Sequence, residues 1–145
     1  MAYVHIAHDC IIGNHTIFVN NSSLAGHVTI EDHVILAGFA LVHQFCSIGA
    51  YAFASKATGI TKDVPPYVRV ADHTARPYGL NAEGLKRHGF AAETVMQLRR
   101  AYRVLYRSGL SLERAVEELR GLAQASPEVA RFTDFIERSE RGIVR

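Results

Sequence analysis

The stretch NSSLAGHVTIEDHVILAG, residues 21–38, decides the fold of this chain. Large apolar residues recur in it at every sixth position, namely Leu24, Ile30 and Leu36. A strict period of six suits neither an amphipathic helix, whose period is about 3.6 residues, nor an isolated hairpin meander. It is typical of a parallel β-helix, in which each hexad forms one flat side of a prism.

Outward from this stretch the period continues in both directions, from Ile6 to Ile60. The large apolar column is Ile6, Ile12, Phe18, Leu24, Ile30, Leu36, Val42, Ile48, Ala54 and Ile60. The residues two positions earlier are all small or β-branched: Val4, Cys10, Thr16, Ser22, Val28, Val34, Ala40, Cys46, Ala52 and Thr58. We expect the large residues to fill the axis and the small ones to take the tighter inward positions. Three hexads then make one coil, and successive coils stack about 4.8 Å apart.

The coil length predicts which side chains lie above one another. Residues 8, 26 and 44 share one column, and residues 15, 33 and 51 share another. Cys10 and Cys46 are two coils apart, roughly 9.6 Å, which is beyond the reach of a disulfide. Two reduced core cysteines agree with a cytoplasmic location.

The second half of the chain has a different composition, and all arginines except Arg69 lie in it. Pro65 and Pro66 mark the change, since proline excludes a regular helix or a central strand there. We therefore predict an all-β left-handed parallel β-helix of hexapeptide repeats over residues 1–73. A C-terminal α-helical domain is predicted over residues 74–145.

Three helices are indicated in this second half. The apolar spacing of AAETVMQLRRAYRVLYRSG predicts a helix that stops at Gly109. Ser111 is a candidate N-cap for a second helix that runs to about Gln124. Ser126 followed by Pro127 is typical of the start of a third.

The overall composition predicts a soluble globular protein. Hydrophobic residues make up 48% of the chain and charged residues 21%, which is typical of a folded protein and not of a disordered one. The net charge of +2 is too small to indicate a nucleic-acid partner. No apolar run approaches the roughly 20 residues of a membrane span, and no secretory signal pattern is present.

The segment HIAHDC, residues 5–10, carries the best candidate for acid–base chemistry. His8 is followed by Asp9, and a neutral imidazole can accept a proton from a substrate hydroxyl. Gly26 lies one coil above His8, so its backbone N–H could donate to an oxyanion.

Metal binding is the first rival interpretation of the histidines. Five of the eight lie in or near two adjoining coils: His5, His8, His15, His27 and His43. Coordination needs several neutral imidazoles that converge on one point. The sequence shows no acidic or cysteine companions at a familiar spacing, and we predict no metal.

Several segments together resemble the acyl-[acyl-carrier-protein]–UDP-N-acetylglucosamine O-acyltransferase family of lipid A biosynthesis. They are HIAHDC, NSSLAGHVTIEDHVILAG, VHQFCSIGA, KDVPPYV, GLNAEGLKRHGF and FTDFIERSERGIVR. The likeness runs from His5 to Arg145. It implies transfer of a 3-hydroxyacyl group from acyl carrier protein to the 3-OH of UDP-N-acetylglucosamine, the first step of lipid A biosynthesis. It also implies that no cofactor is needed beyond the phosphopantetheine arm of the carrier.

The resemblance assigns roles residue by residue. His8 would deprotonate the glucosamine 3-hydroxyl, Asp9 would orient His8, and Gly26 would be the oxyanion donor. The residues that match the acyl and sugar cleft are His5, His27, His43 and Gln44. The residues that match binders of the nucleotide or its phosphates are Asn81, Glu83 and Arg87. The family usually has a second arginine after Arg87, where this chain has His88.

The resemblance further implies a homotrimer with active sites between subunits, and it places additional coils before Met1. Since those coils would support His5 and His8, we expect the first coil of this chain to be frayed and its activity weak or absent. Two other functions stay open. One is a catalytically weak or inactive trimeric module, and the other is a metal-dependent, carbonic-anhydrase-like hexapeptide protein.

Overall fold

The computed structural model describes residues 1–145 and shows a parallel β-helix followed by four helices. The β-helix has one short strand per hexad. These strands are β1 (His5–Ile6), β2 (Ile11–Ile12), β3 (Ile17–Phe18), β4 (Ser23–Leu24), β5 (Thr29–Ile30), β6 (Ile35–Leu36), β7 (Leu41–Val42), β8 (Ser47–Ile48), β9 (Phe53–Ala54) and β10 (Gly59–Ile60). The predicted period of six is confirmed.

Each strand pairs in parallel with the strand three hexads later, as Ile6 does with Leu24 and Leu24 with Val42. Two sides of the prism have the strand orders β1-β4-β7-β10 and β2-β5-β8. The third side contains β3, β6 and β9 and continues into two further strands. The predicted coil of three hexads is therefore confirmed.

The large apolar column forms the axis of the prism from the second coil onward. Leu24, Ile30 and Leu36 are each at most 1% exposed, whereas Ile6 in the first coil is 44% exposed. The difference arises because β1, β2 and β3 each pair with one neighbour only. The first coil is thus formed, but one of its edges is uncovered.

Every corner of the prism contains one residue in the left-handed backbone region. These residues are Tyr3, Asp9, His15, Asn21, His27, His33, Phe39, Phe45, Tyr51 and Ala57, with φ between 56° and 66°. Residues other than glycine, asparagine and aspartate rarely adopt this backbone conformation. Each sharp corner therefore carries a local cost, which the stacking of successive coils offsets.

After Ile60 the spacing between paired residues becomes shorter. Ile48 pairs with Val64, a separation of 16, and Gly59 pairs with His73, a separation of 14. The strand β11 (Val68–Ala71) continues the third side next to β9. The strand β12 (Arg76–Leu80) pairs with β11 in antiparallel fashion. The proposed division at residue 73 falls between these two paired strands and stays a prediction.

The helices are α1 (Ala82–Arg87), α2 (Ala92–Tyr106), α3 (Leu112–Ala123) and α4 (Pro127–Arg138). The two predicted N-caps are confirmed, because Ser111 accepts from the N–H of Arg114 and Ser126 accepts from that of Val129. The helix α2 ends at Tyr106, and Gly109 lies just beyond it with φ at +71°. None of the four helices has the length and apolar character needed to cross a bilayer.

Asp63 joins the β-helix to the end of the chain. This residue is 4% exposed, and its carboxylate accepts from the N–H of Ser47 at 2.8 Å and from the hydroxyl of Ser139 at 2.6 Å. Its backbone N–H donates to Gly142, and the N–H of Val144 donates to its carbonyl. The chain end is thereby attached to the same coil as the proline pair.

Candidate active site

His8 and Asp9 form a hydrogen-bonded pair on the corner between β1 and β2. The His8 Nδ1 and the Asp9 Oδ2 are 2.9 Å apart, and both side chains are exposed. When the carboxylate accepts from Nδ1–H, the lone pair of the ring lies on Nε2. The hydrogen bond from His8, together with the nearby His27, lowers the pKa of Asp9 from its ordinary value. The pair therefore has the arrangement of a general base and its orienting carboxylate.

His27 supports this pair from the next coil. Its Nε2 lies 3.8 Å from the Asp9 Oδ2, and its ring meets that of His8 edge to face at 5.1 Å. On its other side His27 stacks on Phe45, with ring centroids 4.8 Å apart. Asp9, His27 and Phe45 follow one another at intervals of one coil and form one corner column. The coil length of 18 residues alone could have identified Phe45 as the residue that packs on His27.

His8, Asp9 and His27 are also the one group of side chains in this chain that could bind a metal ion. His8, Asp9 and His27 each offer a ligand atom, and these atoms lie within 4.8 Å of one another. The acidic companion that the sequence spacing did not reveal is therefore Asp9. A metal on the Nδ1 of His8 would have to replace its hydrogen bond to Asp9, and the expected absence of a metal stays a prediction.

Gly26 is buried directly against the His8 ring, which places these two members of the 8, 26 and 44 column together as expected. A Cβ at Gly26 would lie 2.5 Å from the His8 Cε1 and 2.6 Å from its Nε2. No side chain fits at this position while the imidazole stays in place. Glycine is therefore required here by close approach.

The N–H of Gly26 donates to no acceptor within the chain. At the same hexad position on other corners, the N–H of Asn14 donates to the Asp32 carboxylate at 2.7 Å. The N–H of Ala50 likewise donates to the Glu31 carboxylate at 2.9 Å. At Asn14 and Ala50 this position therefore presents its N–H to a carboxylate oxygen, and at Gly26 the residue with the unpaired N–H lies against the His8 ring.

His5 and His43 line one cavity of about 460 Å³ over the side formed by β1, β4, β7 and β10. Ala25, the neighbour of Gly26, also lines it. His73 is a third histidine in this cavity, and its ring lies against Gly59. Sequence reasoning missed His73 because its separation of 14 from Gly59 departs from the coil length. Gln44 is exposed and does not line this cavity.

The predicted nucleotide-binding residues of the second half of the chain lie in a different cavity from His5 and His43. Asn81, Glu83, Arg87 and His88 line a cavity of about 620 Å³. Its wall includes residues of β6 and β9, which form the side opposite the corner of His8 and Asp9. Within one chain, the structure does not bring the two predicted groups of binding residues together.

Asn81 already uses its side chain inside the chain. Its amide donates to the carbonyl of Tyr51 at 3.0 Å, and its Oδ1 accepts from the N–H of Gly84 at 3.2 Å. Glu83 and Arg87 are exposed and lie 3.6 Å apart. Unlike the Asn81 side chain, these two side chains pair only with each other and face the solvent.

A β-helix of hexads with a His–Asp pair over a glycine N–H defines a hexapeptide-repeat protein with a candidate general base. Residues 63–144 match the family model described as UDP N-acetylglucosamine O-acyltransferase, domain 2. The chain belongs to this family.

Curated relatives and solved structures agree with this membership. The acyl-[acyl-carrier-protein]–UDP-N-acetylglucosamine O-acyltransferases of Alkalilimnicola ehrlichii and Ectopseudomonas mendocina are 52% and 53% identical over all 145 residues. The chain spans 56% of the length of each. The UDP-N-acetylglucosamine acyltransferase of Francisella novicida superposes with a TM-score of 0.97 at 45% identity, over 100% of this chain and 53% of that one. The Arabidopsis enzyme gives 0.92 at 42% identity, over 98% and 53%.

Proposed function

We propose that this chain transfers a 3-hydroxyacyl group from acyl carrier protein to the 3-OH of UDP-N-acetylglucosamine, the first step of lipid A biosynthesis. The observation that carries the proposal is the His8–Asp9 pair, packed on a glycine whose N–H has no acceptor. The names of the relatives support it, although the chain spans about half of their length.

The chemistry follows from this geometry. The Nε2 of His8 accepts the proton of the 3-hydroxyl while the sugar oxygen attacks the thioester carbonyl. The N–H of Gly26 donates to the oxyanion that forms, as its counterparts at Asn14 and Ala50 donate to carboxylates. Collapse of the intermediate expels the phosphopantetheine thiolate, and the protonated His8 returns the proton to the sulfur. A positioned base contributes about 10²–10⁴-fold in rate, and one oxyanion donor contributes about 10²–10³-fold.

The remaining candidate residues are proposed to bind the substrates. His5, His27, His43 and Gln44 would line the acyl and sugar cleft. Asn81, Glu83 and Arg87 would bind the nucleotide. No metal or diffusible cofactor takes part, because the acyl group arrives on the phosphopantetheine of acyl carrier protein.

We further propose a left-handed β-helix that assembles as a homotrimer, with residues 74–145 as a helical domain and a cytoplasmic location. A trimer would place the tail cavity of one subunit near the His8 corner of another, which a single chain does not do. Closed threefold symmetry would also cover outward apolar side chains. Those that are exposed on the β-helix include Ile11, Ile17, Phe39, Leu41 and Phe45. Sedimentation that shows a trimer at micromolar concentration supports this proposal, and a monodisperse monomer contradicts it.

The decisive experiment is an acyl-transfer assay. The chain is joined to the N-terminal coils of a relative and incubated with 3-hydroxyacyl carrier protein and UDP-N-acetylglucosamine. Formation of the 3-O-acyl product, lost in His8→Ala, supports the proposal. A correctly folded trimer without activity would favour a non-catalytic module.

One observation favours the second candidate, a metal-dependent protein of the carbonic-anhydrase-like type. His8, Asp9 and His27 together have the residue types that bind zinc. Elemental analysis of the purified protein distinguishes the two functions. One zinc per chain, with activity lost on chelation, would support the metal protein, whereas transfer activity that resists chelators supports the acyltransferase.

A further inference from the structure

A column of four stacked rings runs along the corner between β2 and β3 and the corners above it. His15 stacks on His33 at 5.0 Å, His33 on Tyr51 at 4.6 Å, and Tyr51 on Tyr67 at 6.0 Å. The ring planes of successive members differ by 10° to 17°. His15 is therefore part of a continuous aromatic surface rather than an isolated polar residue.

Two rings that directly follow the C-terminal end of α1, those of His88 and Phe90, meet this column edge to face. The ring of His88 lies 4.7 Å from that of His33 and 5.2 Å from that of Tyr51. Phe90 lies 4.9 Å from Tyr51. Such contacts are favourable because the positive edge of one ring faces the negative face of another.

The N-terminal end of α1 is tied to the same column through the backbone. The side-chain amide of Asn81 donates to the carbonyl of Tyr51, and its backbone N–H donates to that of Tyr67 at 2.8 Å. The helix has less than two turns, and Leu85 is its one buried residue. A helix this short is not stable by itself, so these end contacts set its orientation.

We propose that His88 is a positioning residue, whose ring on the His33–Tyr51 stack fixes α1 and so orients Glu83 and Arg87 for the nucleotide. The inference rests on the proposed function. It assigns to His88 a role different from the anion contact that a second arginine would make. A packing role fits the contacts of this side chain, because its ring meets both His33 and Tyr51 edge to face.

The test compares His88→Ala, His88→Phe and His88→Arg, with Lys86→Ala as the control on the exposed part of the same helix. The assay is acyl transfer by the chain joined to the N-terminal coils of a relative, as described above. In this assay we expect His88→Ala to raise the KM for UDP-N-acetylglucosamine about tenfold and to leave kcat unchanged. His88→Phe should keep the KM of the unsubstituted protein, because phenylalanine retains an aromatic ring at this position. Lys86→Ala should leave both constants unchanged.

A second measurement does not depend on activity. Amide hydrogen exchange of the chain by itself should show faster exchange at Leu85 and Phe90 in His88→Ala, and protection close to the unsubstituted level in His88→Phe. If transfer is absent in every variant, the proposed function fails, and this exchange pattern still decides the positioning role. The role is overturned if α1 is equally protected in all variants. It is also overturned if His88→Arg matches the unsubstituted protein while His88→Phe behaves like His88→Ala.

Discussion

The His8 imidazole rests on Gly26, so that the Nε2 of the histidine lies 2.6 Å from the point where any other residue would place its Cβ. The contact joins the first coil to the second at the candidate site. The backbone N–H of Gly26, the residue against which the proposed base packs, has no acceptor within the chain. One packing contact thus holds together the residues that we propose as the base and the oxyanion donor.

Gly26→Ala should abolish most of the transfer activity while the fold is retained. The new methyl group would meet only the exposed His8 ring and no backbone, so it should displace the proposed base from its place against residue 26. We expect a loss of about 10²-fold or more in kcat, the magnitude of a lost positioned base. Steady-state kinetics in the assay with N-terminal coils measures it.

The matched control is Gly38→Ala, at the same hexad position on another corner. A Cβ there meets the Asn20 side chain at 3.4 Å, which is ordinary contact. This variant should keep full activity. Equal losses in the two variants would show that the effect comes from the corner backbone and not from His8.

His8→Ala should lower kcat about 10²–10⁴-fold, because it removes the proposed base. Asn20→Ala is its control, since Asn20 has the same relation to Gly38 that His8 has to Gly26. Asn20→Ala should leave kcat nearly unchanged. Comparable rates for the two variants would mean that the base has been assigned to the wrong residue.

The stability of the chain should decrease as the pH falls below about 6.5, in part because of His33. Burial, and then the nearby His88 and His15, lower the pKa of His33 from 6.5, with Arg131 acting in the same direction and Asp32 against it. Below pH 6.5 the unfolded state therefore binds a proton that the folded state does not, so the free energy of unfolding decreases. At higher pH both states are neutral at this ring, and the effect vanishes.

Urea unfolding on either side of the ordinary histidine pKa, at about pH 7.5 and about pH 5.5, tests this prediction. His33→Phe keeps a ring in the column beside Tyr51 and removes the titrating group, so it should reduce the difference in stability between the two pH values. An unchanged difference in His33→Phe would place the pH dependence on other groups.

The first coil of this polypeptide, studied without added coils, should exchange its amide protons faster than the second. The N–H of His5 donates to Ser22 at 3.1 Å, and its equivalent one coil later, Ser23, donates to Ala40 at 2.9 Å. Both bonds exist, but the first coil has a neighbour on one edge only and its axis residue Ile6 is 44% exposed. Hydrogen exchange in dilute protein compares the two positions directly. Equal and strong protection would show that this edge is stable without a neighbour.

Sequence reasoning captured the relation of His8 to Gly26 because a β-helix places residues over one another by counting. Once the period of six is recognised, the coil of three hexads determines the strands, their register and the columns. The same rule holds for His15 with His33 and for His27 with Phe45. It works because each coil touches only its neighbours, so separation along the chain determines contact.

Beyond Ile60 this rule fails, and only the tertiary structure decides. The separation of paired residues falls to 16 at Val64 and to 14 at His73, which brings His73 into the cavity of His5 and His43. The helices then place Glu83 and Arg87 on the side opposite the corner of His8. Helix propensity determines that α2, α3 and α4 form. Where α1 lies depends on the contacts of His88 and Asn81 with the ring column, and these contacts join residues far apart in the chain that no repeat relates.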